Sequence, residues 1–99
     1  MKLTFRWDNQ KAQSNFHKHH ISFDEAKTIF NDPLLVTYPD EFHSENEERW
    51  ISIGTSSHNR LLLTVHMEWE KSADEIVIRL ISSRKATPLE RHIYEQQET

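Results

Sequence analysis

The chain opens with apolar and polar residues in alternation. Leu3, Phe5 and Trp7 stand two apart, the period of a half-buried strand. The period then lengthens. Asp8 is placed to cap a helix running to about Lys18, with Ala12 and Phe16 one turn apart on one face. Ser22-Phe23-Asp24-Glu25 has the form of a capping box, in which the serine and glutamate side chains each satisfy an orphan backbone donor. Ile21 and Ala26 take the staple positions. The helix it opens carries Phe23, Ala26, Ile29 and Phe30 as an apolar stripe and is broken at Asn31-Asp32-Pro33. Four strand-like segments follow, at 34–38, 49–55, 61–69 and 75–83. Residues 56–59 suit a hairpin loop and 71–74 a second turn. Thr87-Pro88-Leu89-Glu90 predicts a last helix to about Gln96, with a threonine cap, proline at the first helical position and a box glutamate.

The order β-α-α-β-β-β-β-α defines an α+β fold. Strands joined by short loops imply an antiparallel sheet, with helices packed on one face. Alternation assigns the faces. Leu61, Leu63 and Val65 on one strand, with Ile76, Ile78 and Leu80 on the next, are expected to meet the helices. Leu62, Thr64 and His66, with Val77, Arg79, Ile81 and Ser83, are expected to line the open face, a candidate binding surface.

The 99 residues fit one domain, 1–99. Hydrophobic content of 35% and a mean hydropathy of -0.80 leave much of the surface polar or dependent on a partner. With no cysteine, neither a disulfide framework nor a thiolate metal site can form. The single glycine, Gly54, excludes the Gly-rich phosphate loops of the P-loop and Rossmann classes. No apolar run reaches membrane-spanning length, and the first ten residues lack the apolar stretch of a signal peptide, so a cytoplasmic protein is expected. The net charge of -4 does not suggest a nucleic-acid partner, and charge alone favours groups scattered over a solvated surface, but its distribution matters more than its sum. Residues 1–20 hold four bases against one acid, and 76–99 hold four against three. Between them, four bases face twelve acids. Folded together, the two basic ends would make a positive patch.

Phe5-Arg6-Trp7-Asp8, Lys11, Asn15, Lys18-His19 and Ile21-Ser22-Phe23-Asp24-Glu25-Ala26 follow one another at fixed spacings. Further on come Glu48-Arg49-Trp50-Ile51-Ser52-Ile53-Gly54, Leu63-Thr64-Val65-His66, the run from Ile78 to Thr87, Glu90-Arg91 and Tyr94. This ordered set resembles the BrnT family from about Phe5 to Tyr94. The resemblance implies a RelE-like fold and a toxin of a type II toxin–antitoxin system that cleaves RNA without metal or other cofactor, inhibiting translation and growth. It implies neutralisation by a ribbon-helix-helix, BrnA-like antitoxin, a complex of two toxins with two antitoxins, and operator DNA bound through the antitoxin. The acidic balance keeps one alternative open, a catalytically inactive module that completes the antitoxin–operator repressor complex. One departure is visible: where the family often has glycine after the Lys-His pair, this chain has His20. That position ends a helix and favours positive φ, so histidine there costs on the order of 1 kcal/mol.

Metal-free RNA cleavage uses the substrate's own 2′-OH as nucleophile. It needs proton transfer and stabilisation of a phosphorane-like transition state. Arg84, at the end of the last strand, is the first candidate for holding that charge, because its planar fork binds phosphate oxygens in pairs. Arg49 is the second phosphate ligand. Glu48 or His66 is the candidate base or acid, and Lys11 adds positive charge. Trp7 and Tyr94 are candidates for base stacking, Arg79 and Arg91 for RNA backbone contacts. Each has a structural alternative: Trp7 in the core, His66 as a packing histidine, Glu48 and Arg49 in ion pairs. His17 and His20, three apart, can share a helix face, but no second pair at zinc spacing accompanies them, so no metal is assigned. The acidic run Asp40, Glu41, Glu45, Glu47 and Glu48 lacks a calcium-loop pattern and reads as a solvated loop or an antitoxin-facing surface.

Overall fold

The computed structural model describes residues 1–42 and 47–97; Glu45 of the acidic run lies outside them. Nine elements follow in order: β1 (Lys2–Arg6), α1 (Asn9–His19), α2 (Phe23–Ala26), a 3-10 turn (Lys27–Asn31), β2 (Val36–Pro39), β3 (Trp50–Thr55), β4 (Leu61–Ser72), β5 (Glu75–Lys85) and α3 (Pro88–Gln96). All five strands join one sheet in the order β1-β5-β4-β3-β2. The meander β2 to β5 is antiparallel, as the short connections imply, and β1 adds a parallel strand on the free edge of β5. Among the described residues, no helix is long and apolar enough to cross a membrane.

The expected division of faces holds for β5 from Ile76 to Leu80, but not for β4, nor for Ser83, whose Oγ meets Thr64 Oγ1 at 3.0 Å on the helix-covered side. Leu62, with Ile78 and Leu80, packs under α1 and α2 against Ile21, Phe23, Ala26 and Ile29. Leu61 and Leu63 instead join Ile53 and Tyr94 on the other side. The cause is a bulge between Val65 and His66, where the pairing shifts from Val65↔Ser82 to His66↔Leu80. One extra residue in β5 exchanges the sides its residues point to, which alternation along a single strand does not reveal. Helix packing on one face therefore describes α1 and α2, while α3 lies against the opposite face through Tyr94.

Asp8 caps α1 by accepting from Gln10 and Lys11 backbone N–H. His20 ends it at φ 59, ψ 30, the left-handed conformation that glycine adopts without strain. Ser22 caps α2, accepting from the Glu25 N–H. The expected reciprocal half of that box does not form. The Glu25 side chain turns into the protein, is 4% exposed, and accepts from Arg60 and from Ser56 Oγ at 2.7 Å. The Arg60 guanidinium holds the Glu25 carboxyl below the usual carboxylate range. The pair ties α2 to the β3–β4 hairpin. The α-helical path stops at Ala26 rather than Phe30, and Thr28 Oγ1 donates to the Glu25 carbonyl at 2.6 Å within the tighter turn that follows. That turn packs directly on β3. A Cβ on Gly54 would stand 2.8 Å from Leu35 Cδ1 and 3.1 Å from the Ile29 carbonyl oxygen, so any larger residue would have to push the Leu35 side chain and the turn aside.

Candidate active site

Beyond Arg6, β1 no longer covers the edge of β5. There α1 takes its place. Asn15, 6% exposed, donates through Nδ2 to the Ser83 carbonyl at 2.9 Å and accepts the Ser83 N–H through Oδ1 at 2.9 Å. Its Nδ2 also donates to the Ile21 carbonyl at 2.9 Å. One amide side chain thus pairs the strand edge as a backbone peptide would, and fixes α1 beside the residue before Arg84. The two basic ends of the chain meet here.

A groove follows from this junction. One lobe lies between α1 and β5 and is lined by Lys11, Ser14, Lys18, His19, Arg49, Ile81 and Ser82. The next shares Lys18, His19 and Ser82, and runs on to Tyr38, Asp40, Phe42, Ile51, Arg84 and Glu90. Arg84 is held as a fork: Nη1 donates to Glu90 Oε1 at 2.7 Å and Nη2 to Glu90 Oε2 at 2.9 Å. Glu90 also closes the box that opens α3, accepting the Thr87 N–H at 2.9 Å while Thr87 Oγ1 accepts its own N–H. The paired Arg84 holds the Glu90 carboxyl below its ordinary range. Burial, then the nearby Glu90 charge, pushes the Tyr38 hydroxyl up.

The sequence-predicted site residues divide. Arg84, Arg49 and Lys11 converge on the groove. Arg49 pairs through Nε with Glu47 Oε1 at 2.7 Å, while its neighbour Glu48 is exposed and outside the lining. Trp7 stands on the far side of α1, edge-on to Phe23 at 5.9 Å, in an apolar recess with Ala12 and Phe16. Tyr94 is buried, and its hydroxyl donates to Asp32 Oδ2 at 2.6 Å; it holds α3 to the sheet and offers no stacking face. Arg79 and Arg91 are exposed and take no part in the groove. His17 lines the Trp7 recess and His20 caps α1; among the described residues no three histidine or carboxylate groups gather as for a metal.

His66 lies outside the groove. It is 0% exposed, bonded through Nε2 to Ser52 Oγ at 2.7 Å and edge-on to Phe30 at 5.1 Å. It shares the helix-covered face with Leu62, and the extra residue of β5 at the bulge brings Leu80 beside it there. Burial pushes its pKa down to about 4, against a smaller opposing effect of the Met67 backbone. The unfolded chain protonates this ring near its ordinary value of 6.5. Stability from the neutral ring is therefore complete above that pH and is lost as pH falls toward 4. Roughly 2 kcal/mol should disappear between pH 7 and 5. Urea midpoints of the wild type and His66→Gln at the two pH values test this; equal slopes for both proteins would remove His66 as the cause.

Sequence reasoning missed Lys18, His19, Glu90, Tyr38 and Phe42 as groove residues. Lys18 and Lys11 are seven apart, on one helix face with Asn15, a signal that was present. Nothing local marks Phe42, 89% exposed at the groove mouth.

Comparison with known proteins adds two findings. A family model described as "Ribonuclease toxin, BrnT, of type II toxin-antitoxin system" matches residues 7–90. The crystal structure of the Brucella abortus ribonuclease toxin BrnT is similar with a TM-score of 0.62 at 18% identity, over 88% of this chain and 99% of that one, a likeness of fold. No curated protein matches the sequence.

Proposed function

The chain belongs to the family of BrnT ribonuclease toxins of type II toxin–antitoxin systems, and on that premise we propose that it is a metal-independent endoribonuclease acting in the groove between α1 and Arg84. The observation that carries this reading is the convergence of Lys11, Lys18, His19, Arg49 and Arg84 in one groove of an otherwise acidic protein. Such a site concentrates positive charge where a phosphate gains negative charge.

Arg84 is the transition-state ligand. Glu90 and the Lys85 carbonyl engage three of its five N–H donors, leaving two preset for phosphate oxygens. Glu90 is a positioning residue. Lys18 and Arg49 neutralise the flanking charge. His19 replaces His66 and Glu48 as the proton-transfer group, taking the 2′-OH proton as that oxygen attacks phosphorus, or protonating the departing 5′-oxygen. Phe42 and Tyr38, rather than Trp7 and Tyr94, offer rings to the bases at the groove edge. In the cell, RNA cleavage would lower translation and arrest growth until a ribbon-helix-helix antitoxin neutralises the chain, in a complex of two toxins and two antitoxins that binds operator DNA through the antitoxin.

The test is the chemistry of the ends. Purified protein with synthetic RNA in excess EDTA is expected to yield 2′,3′-cyclic phosphate and 5′-hydroxyl termini, with His19→Ala slowed by about 10²-fold or more. Cleavage that requires added magnesium, or leaves 5′-phosphates, overturns the mechanism.

A further inference from the structure

Among the described residues, no helix packs on the β1-β5-β4 end of the sheet face away from α1 and α2. Helix α3 covers the β3 end of that face through Tyr94, with Ile53, Leu61 and Leu63. On the β1-β5-β4 end, register and alternation form two cross-strand rows: Thr4, Val77 and Trp69, and beside it Arg6, Arg79 and Met67. Val77 is 0% exposed beneath this surface, so the platform is solid, while Trp69 remains 42% exposed. The acids of β4, Glu68 and Glu70, alternate onto the other face. Glu75, on the open side, already accepts from Thr4 Oγ1 at 2.5 Å.

Arg6 and Arg79 stand directly opposite each other. Like charges in that relation destabilise a sheet. Among the described residues, neither guanidinium has a carboxylate within ion-pairing distance. Glu75, its carboxyl held below the ordinary range first by its bond from Thr4 and then by the charges of Lys71, Lys2 and Arg6, offsets part of that repulsion at Arg6, and an anion between the two guanidinium groups would relieve what is left. Arg79 lies two residues before Ile81 and three before Ser82 on the groove floor, so Val77 is about 16 Å from Ser82 along β5.

We propose that this open half-sheet is an RNA-binding extension of the groove, where Arg6 and Arg79 hold phosphates of the strand beyond the scissile bond and Trp69 stacks one of its bases. The proposal rests on the ribonuclease reading for the identity of its ligand. An exposed aromatic among unpaired arginines on a sheet, continuous with a cationic groove, is the arrangement that binds single strands with little sequence preference.

A 5′-labelled 2′-O-methyl RNA 12-mer, which cannot undergo 2′-OH attack, is the probe, read by fluorescence anisotropy with a 4-mer as control. The double variant Arg6→Gln/Arg79→Gln is expected to bind the 12-mer about tenfold more weakly, and to flatten the slope of log affinity against log salt by about 1.4. Trp69→Ala should lose about fivefold or more, and Trp69→Phe should recover most of it. The 4-mer should bind all variants alike. A melting temperature of the arginine variant at or above that of the wild type excludes misfolding, since both side chains are exposed and their mutual repulsion is removed. Unchanged 12-mer affinity in that variant overturns the proposal. So does loss of antitoxin capture with RNA binding intact, which would make the face a protein interface. Cleavage of the unmodified 12-mer is scored separately. Its absence in the wild type would defeat the ribonuclease reading, while the methylated probe still decides this one.

Discussion

Arg84→Ala is expected to slow RNA cleavage by about 10²–10³-fold while leaving the fold in place, the loss typical when one preset donor to a developing oxyanion is removed. The stability cost should stay below about 1 kcal/mol, because the Arg84 side chain is 39% exposed and its bond to Glu90 is screened by solvent. Arg84→Lys keeps the charge but loses the two-pronged geometry, so it should fall between wild type and alanine. Single-turnover cleavage of a labelled RNA beside a thermal melt measures both quantities. An alanine variant that cleaves at the wild-type rate would remove Arg84 from the site.

Asn15→Ala should produce the largest loss of stability outside the apolar core, about 2–4 kcal/mol. Three buried hydrogen bonds disappear together, and the Ser83 N–H and carbonyl are left facing a void at a strand edge. A small domain is typically stable by about 5–15 kcal/mol, so a large share of the total is at stake. Asn15→Asp should be worse than alanine at neutral pH, because it points a carboxylate at the carbonyls of Ile21 and Ser83 that the amide satisfied. Urea unfolding at pH 7 orders the three proteins. Cleavage should fall further in Asn15→Ala even where it remains folded, since Lys18 and His19 lose their fixed distance from Arg84. An Asn15→Ala protein as stable as wild type would refute the edge-pairing role.

Local signals in the sequence were strong wherever short-range chemistry decides the outcome. The caps at Asp8, Ser22 and Thr87 sit where expected, and the element order follows from period alone. The failures are non-local. Glu25 abandons its box because Arg60, thirty-five residues away, offers a charged partner. His66 shares a face with Leu80 because β5 contributes one more residue than β4 at the bulge. The groove was legible in part: Arg84, Arg49 and Lys11 could be chosen by residue type and motif. Tyr94 and Trp7 could not be told from core residues, since an aromatic carries the same pattern in either role. Glu90 was legible as a cap but not as the partner of Arg84, because its second role depends on where the strand end points.

The amide of Asn15 has one more implication, for what the sheet offers to other chains. A free strand edge is a template for aggregation. Here β2 is only four residues long and ends at Pro39, which has no N–H to give. On the opposite side β1 is also short, five residues with Lys2 and Arg6 among them, and the stretch of β5 it leaves bare is occupied by a side chain. A partner seeking to add a strand to that stretch of β5 must first displace Asn15, so growth of the sheet from chain to chain is blocked there by one residue.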